Sequence, residues 1–145
     1  IIVSIATRSG MFNWLANAML KKTKGRPKVI LFCLAIFTAV VSAFLDNVTT
    51  VILIMPITFA IAKELDINPL PFLITEILAS NIGGTATLIG DPPNIIIGSA
   101  AGLSFMDFLK ELTDIVSVIL IAVTCTMLFM FRKELHTTPE RMEQI

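Results

Sequence analysis

Long apolar stretches, rather than an alternation of apolar and polar positions, dominate this chain. The pattern predicts the end of a transmembrane helix at residues 1–7, a helix in the membrane interface at 9–22, and a further transmembrane helix at 115–131. Two more apolar stretches lie between them, and polar residues interrupt each of these near its middle. We therefore predict an all-α integral membrane protein.

The stretch at 29–62 is interrupted by "DN", which is Asp46 and Asn47. Each arm has about 15–17 residues, or about 23–26 Å of helix, whereas the hydrocarbon core is about 30 Å thick. Two complete spans would be short. A re-entrant helical hairpin whose tip stops within the membrane fits these lengths better.

The stretch at 70–101 is too long for one straight span and contains "GDPPN" at 90–94. Pro92 and Pro93 lack backbone donors, and a proline disfavours helical geometry at the residue before it. These residues predict a discontinuous transmembrane helix with its break at 90–94. Non-helical backbone at membrane depth is tolerated where it is buried in protein or lines a wet cavity.

Composition agrees with a membrane location, because 55% of the residues are hydrophobic and only 15% are charged. Eleven basic residues balance eleven acidic ones, so nothing favours nucleic acid as a partner. The basic run "KKTKGRPK" at 21–28 faces the cytoplasm by the positive-inside rule. We expect a multi-pass protein, with the plasma (inner) membrane as its location. The chain starts inside an apolar run without an initiator methionine, so we expect it to be a piece of a longer protein.

Oxygen-bearing and small residues concentrate at the two interruptions, which is how secondary transporters build a midplane ion or substrate site. Packing of helices through small residues is the alternative explanation for each glycine, serine or threonine taken alone. Two separate polar interruptions in one short chain favour the site. The candidate binding residues are Asp46, Asn47, Thr49, Thr50, Ser80, Asn81, Gly83, Gly84, Thr85, Thr87, Gly90, Asp91, Pro92, Pro93 and Asn94.

Three acids lie in or beside the apolar stretches, where a carboxylate costs roughly 2.5–3.5 kcal/mol to insert. Asp46, at the predicted hairpin tip, is the first candidate for proton coupling, and Glu76 is the second. Two structural alternatives stay open: Asp91 could cap the second half of the broken helix, and Glu76 could lie in water near the cytoplasmic mouth.

Two motifs, "SAFLDNVTTVILIMPI" at 42–57 and "ASNIGGTATLIGDPPNIIIGSAAGLSFMDF" at 79–108, resemble the paired signature of the ion transporter superfamily. That group contains arsenite/antimonite efflux pumps, sodium/proton antiporters, citrate and dicarboxylate carriers and the melanosomal P protein. The sequence "IGDPPN" is most similar to the P-protein and sodium/proton antiporter branch of the superfamily. The resemblance implies two inverted repeats, of which this chain matches the N-terminal one.

The dicarboxylate carriers have Ser-Asn-Thr at the hairpin tip, where this chain has Asp46, Asn47 and Val48. The resemblance thus implies that Asn47, together with Gly90, contributes to a sodium site, and the change to Asp46 favours cation or proton coupling over carboxylate binding.

The function this implies is secondary active transport of an ion or small anion, coupled to sodium or protons, by alternating access, and not an enzymatic activity. A sodium-coupled dicarboxylate or citrate carrier and an arsenite efflux permease are alternatives within the superfamily. A channel and an intramembrane aspartyl protease are alternatives outside it. The protease interpretation is weakened because Leu88 stands where the G-x-G-D turn of such proteases needs a glycine. We expect no cofactor other than a sodium ion. The expected partners are the small ion or molecule transported, the lipid bilayer and the second half of the same transporter, with a homodimer as one candidate assembly.

Overall fold

The computed structural model describes residues 11–135, with side chains from Trp14 onward. Six helices form this part of the chain, and it contains no strand: α1 (Met11–Thr23), α2 (Pro27–Ser42), α3 (Asn47–Leu65), α4 (Leu70–Gly84), α5 (Pro92–Ala101) and α6 (Phe105–Met130). The all-helical prediction is therefore confirmed for the described residues. The predicted helix end at 1–7 lies outside them, as do the first residues of the predicted helix at 9–22.

The stretch at 29–62 is divided where the sequence predicts a tip, with α2 ending at Ser42 and α3 beginning at Asn47. Asp46 is the N-cap of α3, and its side chain accepts a hydrogen bond from the Thr49 backbone N–H at 3.0 Å. A polar cap of this kind satisfies one of the amide groups that a helix start leaves without a partner. The polar tip thus starts a helix as well as ending one.

Helices α2 and α3, which the sequence predicts to form a re-entrant hairpin, differ in length. The 19 residues of α3 are long and apolar enough to cross a membrane, whereas α2 has only 16 residues. At 1.5 Å per residue, α3 is about 28 Å long, close to the thickness of the hydrocarbon core. The re-entrant path and the inverted repeat stay predictions.

The stretch at 70–101 is divided as well, but the break lies earlier than 90–94. α4 ends at Gly84, and α5 already begins at Pro92, with both prolines in its first turn. Proline is well accommodated there, because the first amides of a helix have no carbonyl partner in the helix. The prolines therefore start the second half-helix, and the non-helical backbone occupies 85–91.

The last helix is longer than the predicted span at 115–131. It begins at Phe105, because Ser104 and Asp107 form a reciprocal capping box: the Asp107 amide donates to Ser104 Oγ at 3.3 Å, and the Ser104 amide donates to Asp107 Oδ2 at 2.8 Å. The 26 residues of α6 make it the second helix of the described part that could cross a membrane by length and composition. The acidic residues between 105 and 115 are therefore part of the helix.

The packed centre of the fold lies where α2 crosses α4. Ala35, Ala39 and Ala79 form a small buried cluster at this crossing. The helices approach so closely that a Cβ atom on Gly83 would lie 2.2 Å from the Ala39 carbonyl oxygen. Small residues allow this approach, and it brings the end of α4 alongside the end of α2. A larger apolar cluster, formed mainly by α1, α2 and α3, supports the crossing from one side.

Candidate functional site

The tip between α2 and α3 and the break between α4 and α5 lie against each other, and we call this region the junction (residues 42–47 and 84–90). Thr87 in the break donates from its hydroxyl to the Ala43 carbonyl oxygen in the tip and accepts a bond from the Gly90 amide at 3.1 Å. Thr87 is only 1% exposed. The two interruptions that the sequence predicts separately therefore form one structure.

Oxygen atoms concentrate around two glycines of the junction. A Cβ atom on Gly84 would lie 2.3 Å from Asn47 Oδ1 and 3.0 Å from the Gly90 carbonyl oxygen. One on Gly90 would lie 2.5 Å from the Gly84 carbonyl oxygen and 2.9 Å from that of Ser42. Only glycine allows so close an approach, which brings four oxygens around the two glycines.

Ser42, which the sequence analysis did not single out, joins α2, α3 and α4 at this place. Its hydroxyl oxygen is 2.8 Å from Asn47 Oδ1 and 2.7 Å from the Ser80 carbonyl oxygen. A serine hydroxyl has one proton, so it can donate fully to one of these two acceptors at a time. The cluster has more oxygen lone pairs than protons, which suits a small hard cation.

The orientation of the half-helices adds partial charges to the junction. α2 and α4 end here, so their free carbonyl groups carry partial negative charge, whereas α3 and α5 begin here with partial positive charge. Discontinuous transporter helices use the same combination, in which carbonyl ends bind the cation and amide ends face an anionic substrate. A cleft of about 230 Å³ opens beside the junction, lined by Asn47, Ser80, Asn81 and apolar residues of α3 and α4.

Several predicted site residues support the junction through hydrogen bonds within the protein. The buried side-chain amide of Asn94 donates to the Gly84 carbonyl at 3.2 Å and to the Thr87 carbonyl at 2.9 Å. These bonds hold the start of α5 to the end of α4. Ser80 and Thr85 donate their hydroxyls back to carbonyls of their own helix. These three side chains position the backbone around the candidate site.

Other predicted residues lie at the edge of the junction. The side chains of Asp46 and Thr49 are exposed, and Pro92 and Pro93 lie on the exposed first turn of α5. Asp91 occupies the N-cap position of α5, but its side chain makes no cap hydrogen bond. The alternative in which the Asp91 side chain caps α5 is therefore wrong. The backbone carbonyl of Asp91 instead accepts a hydrogen bond from the backbone N–H of Asn94 at 3.0 Å.

Glu76 lies outside the junction and is fully buried, and Thr58 of α3 donates a hydrogen bond to its Oε1 atom. The alternative in which Glu76 lies in water is thus wrong for this structure. The sequence analysis also missed Thr58, whose place inside an apolar helix with a proline two residues earlier was the available signal. Thr50, another predicted site residue, is buried with no hydrogen-bond partner for its hydroxyl among the described residues.

No group of three or more His, Cys, Asp or Glu side chains in the part of the chain described could hold a metal ion. The oxygens of the junction are instead carbonyl, amide and hydroxyl atoms. Neutral oxygens of this kind, at the ends of interrupted helices, are the ligands that sodium-coupled transporters use.

Comparison with known proteins agrees with the predicted resemblance to the ion transporter superfamily. The chain is 48% identical over 145 residues to the 46 kDa membrane protein of Mycobacterium leprae, a match that covers 100% of the chain and 34% of that relative. It is 49% identical over 123 residues to an uncharacterized transporter of Mycobacterium tuberculosis, which covers 85% of the chain and 29% of the relative. The human P protein is 34% identical over 154 residues, with 100% of the chain and 18% of the P protein covered.

The chain thus spans about a third or less of the length of these relatives. The citrate transporter family matches residues 1–142, which is nearly the whole chain. Both interrupted segments lie within this match, together with the junction that they form. The chain therefore belongs to the citrate transporter (CitMHS) family.

Proposed function

We propose that this chain forms one half of a secondary active transporter that moves an ion or small anion by alternating access, coupled to sodium or protons. The observation that carries the proposal is the junction, where oxygens of Ser42, Asn47, Gly84 and Gly90 are packed closely around two glycines. Membership of a transporter family supports the same function. The second half of the parent protein would supply the matching repeat, in a multi-pass protein of the plasma membrane.

Sodium is the cation that we assign to the junction. Its ligands would be Asn47 Oδ1 and the carbonyl oxygens that surround Gly84 and Gly90, at the carbonyl ends of α2 and α4. Alternating access follows if the short half-helices beside this site move against the other repeat, because the ion then faces one side of the membrane at a time.

Sodium-coupled uptake of citrate or a related dicarboxylate is the second candidate function. The family description supports it, and so do the helix starts of α3 and α5, whose partial positive charges face the junction and suit a carboxylate. The cleft of about 230 Å³ beside Asn47 gives such a substrate a place next to the cation. Arsenite efflux has no comparable observation in its favour.

The test is transport by the full-length parent in proteoliposomes, with internal pH recorded while sodium is added outside. We expect sodium to drive proton movement if the protein is an antiporter, and uptake of labelled citrate if it is a symporter. Absence of any sodium-dependent flux of protons, citrate or dicarboxylates would contradict the proposal. A current that persists without dependence on either gradient would favour a channel.

Two variants test whether the Asp46 charge takes part in coupling. Asn caps helices as well as Asp does, so Asp46→Asn keeps the hydrogen bond to the Thr49 amide and removes only the ionisable group. Asp46→Ala removes both. If the charge is needed, both variants lose pH-dependent transport; if Asp46 acts only as a cap, Asp46→Asn retains it.

A further inference from the structure

The buried contact between Glu76 and Thr58 links α4 to α3 away from the junction. Glu76 is 0% exposed and Thr58 is 1% exposed, and the Thr58 hydroxyl donates to Glu76 Oε1. The other carboxyl oxygen, Oε2, is buried and has no hydrogen-bond partner among the described residues. Buried polar atoms in proteins nearly always have a partner, so this one requires an explanation.

No positive charge compensates this carboxyl group in the described part of the chain. The elements packed against α4 carry Lys28 and Cys33 on α2, Lys63 and Glu64 on α3, and Asp107, Lys110, Glu111, Asp114 and Cys125 on α6. Every charged side chain in this set is exposed to solvent, and none is paired with Glu76. An ionised Glu76 would therefore be a buried charge without a counter-ion, which is far less stable than the neutral acid.

We propose that Glu76 is the proton-binding residue of the transporter, protonated while α3 and α4 are packed together and deprotonated when they separate. The inference rests on the proposed function for its role in coupling, but not for the proton itself. In the release step, the O–H bond of the carboxyl group breaks, the proton passes to water, and the electron pair stays on the carboxylate. Repacking of α3 against α4 reverses the step.

The placement of Glu76 relative to the junction gives the coupling its physical basis. Glu76 lies on α4 one turn before Ser80, whose carbonyl accepts from Ser42, and about 12 Å along the helix from Gly84. Thr58 lies on α3, the helix that begins with Asn47. Proton and sodium thus occupy different positions on the same two helices, so a movement that opens one position changes the other.

Asp46 differs from Glu76 in its burial and in its hydrogen bonding, the two features that would retain a proton. Its side chain is exposed, and it accepts a hydrogen bond from the Thr49 amide, which requires no bound proton. The geometry therefore gives Asp46 the task of starting α3 and gives the proton to Glu76. This reverses the order in which the sequence ranks the two acids.

Infrared difference spectroscopy on the purified full-length parent tests the proton site without reference to transport. We expect a carbonyl stretch from a protonated carboxyl group near neutral pH that disappears at high pH in the parent and is absent from Glu76→Gln. Glutamine preserves the size of the side chain and the acceptor for Thr58. The same band should remain in Asp46→Asn and in Glu111→Gln, which makes the matched change at an exposed glutamate. An unchanged band in Glu76→Gln would overturn the proposal.

Sodium-driven proton movement in proteoliposomes then tests the coupling. We expect at least a tenfold loss in Glu76→Gln, with sodium binding retained. Equal coupling in the parent and Glu76→Gln would overturn this inference and leave the proposed function intact. If the Glu76 band titrates but the full-length protein shows no sodium-dependent flux, the proton site is supported and the proposed function is contradicted.

Thr58→Val keeps the test decisive if Glu76→Gln does not fold. Valine is similar in size to threonine but cannot donate to the carboxylate, so we expect the disappearance of the infrared band to move to higher pH. A titration identical to that of the parent would contradict a proton on Glu76.

Discussion

Helices α4 and α6 are both apolar, yet they differ in how they are packed. More than half of the 15 residues of α4 are buried, in pairs at 71–72, 75–76, 79–80 and 83–84, whereas α6 has three buried residues among 26. The pairs on α4 follow helical spacing and include threonine, glutamate, serine and glycine. α6 exposes large apolar side chains around most of its surface. Hydrophobicity identifies both helices, but small and polar residues at helical spacing identify the one that ends at the junction.

The largest effect on stability is expected at the crossing of α2 and α4. Gly83→Ala would place a methyl group 2.2 Å from the Ala39 carbonyl oxygen, and backbone atoms cannot move aside cheaply. We expect a loss on the order of 2 kcal/mol or more, as for an overpacked core. The measurement is the melting temperature of the full-length parent in detergent. Ala122→Val, which enlarges an exposed residue of α6, is the control. Equal melting temperatures for the two variants would contradict the difference in packing between α4 and α6.

The next effect is expected where α4 and α5 are held together. Asn94→Ala removes the amide that donates to the Gly84 and Thr87 carbonyls, both of which lie in a buried region. Loss of these hydrogen bonds should cost about 1–3 kcal/mol. Thermal unfolding of the full-length parent gives the value, with Asn17→Ala, an exposed amide on α1, as the matched change. A smaller loss in Asn94→Ala than in Asn17→Ala would show that the break does not depend on this contact.

A moderate effect is expected at the start of α6. Ser104→Ala breaks the capping box and should cost about 1 kcal/mol. Ser104→Asp should recover most of that loss, since aspartate also caps helices. Melting temperatures of the two variants test this, and equal loss in both would mean that the cap does not stabilise α6.

The smallest effect is expected on the exposed face of α6. Val118 is 68% exposed, so Val118→Ala removes few contacts within the described chain. We expect a change within about 0.5 kcal/mol. A much larger loss in the full-length parent would show that this face of α6 is packed against protein there.

Within residues 11–135 the sequence was sufficient to predict helices and both interruptions, because long apolar stretches and the residues Asp46, Asn47, Pro92 and Pro93 are local signals. It placed the second break too late, since the prolines start α5 and the helix has already ended at Gly84. It also placed the start of α6 too late, because the predicted span began at 115 whereas the capping box at Ser104 starts the helix at Phe105. Local signals therefore predict that a helix is interrupted better than they predict the residue at which it stops.

The residues that meet at the junction were predicted in part, and their role as a binding site stays a prediction. Asn47, Gly84 and Gly90 do lie together, as their polar or small character suggested, but Ser42 and Thr58 were missed. Each of these two hydroxyls has its importance only through a partner on another helix, Ser80 for Ser42 and Glu76 for Thr58. Such pairs depend on the crossing of α2, α3 and α4, which no single segment reveals. For the same reason the sequence ranked the exposed Asp46 above the buried Glu76.

The most direct test of the account is sodium binding to the purified full-length parent, measured by titration calorimetry. Asn47→Ala removes the side-chain oxygen that would lie 2.3 Å from a Cβ atom on Gly84. We predict that this variant binds sodium at least tenfold more weakly than the parent, a change of about 1.4 kcal/mol, while Asn17→Ala binds it as the parent does. Equal sodium affinity in Asn47→Ala and the parent would contradict the assignment of the ion to the junction.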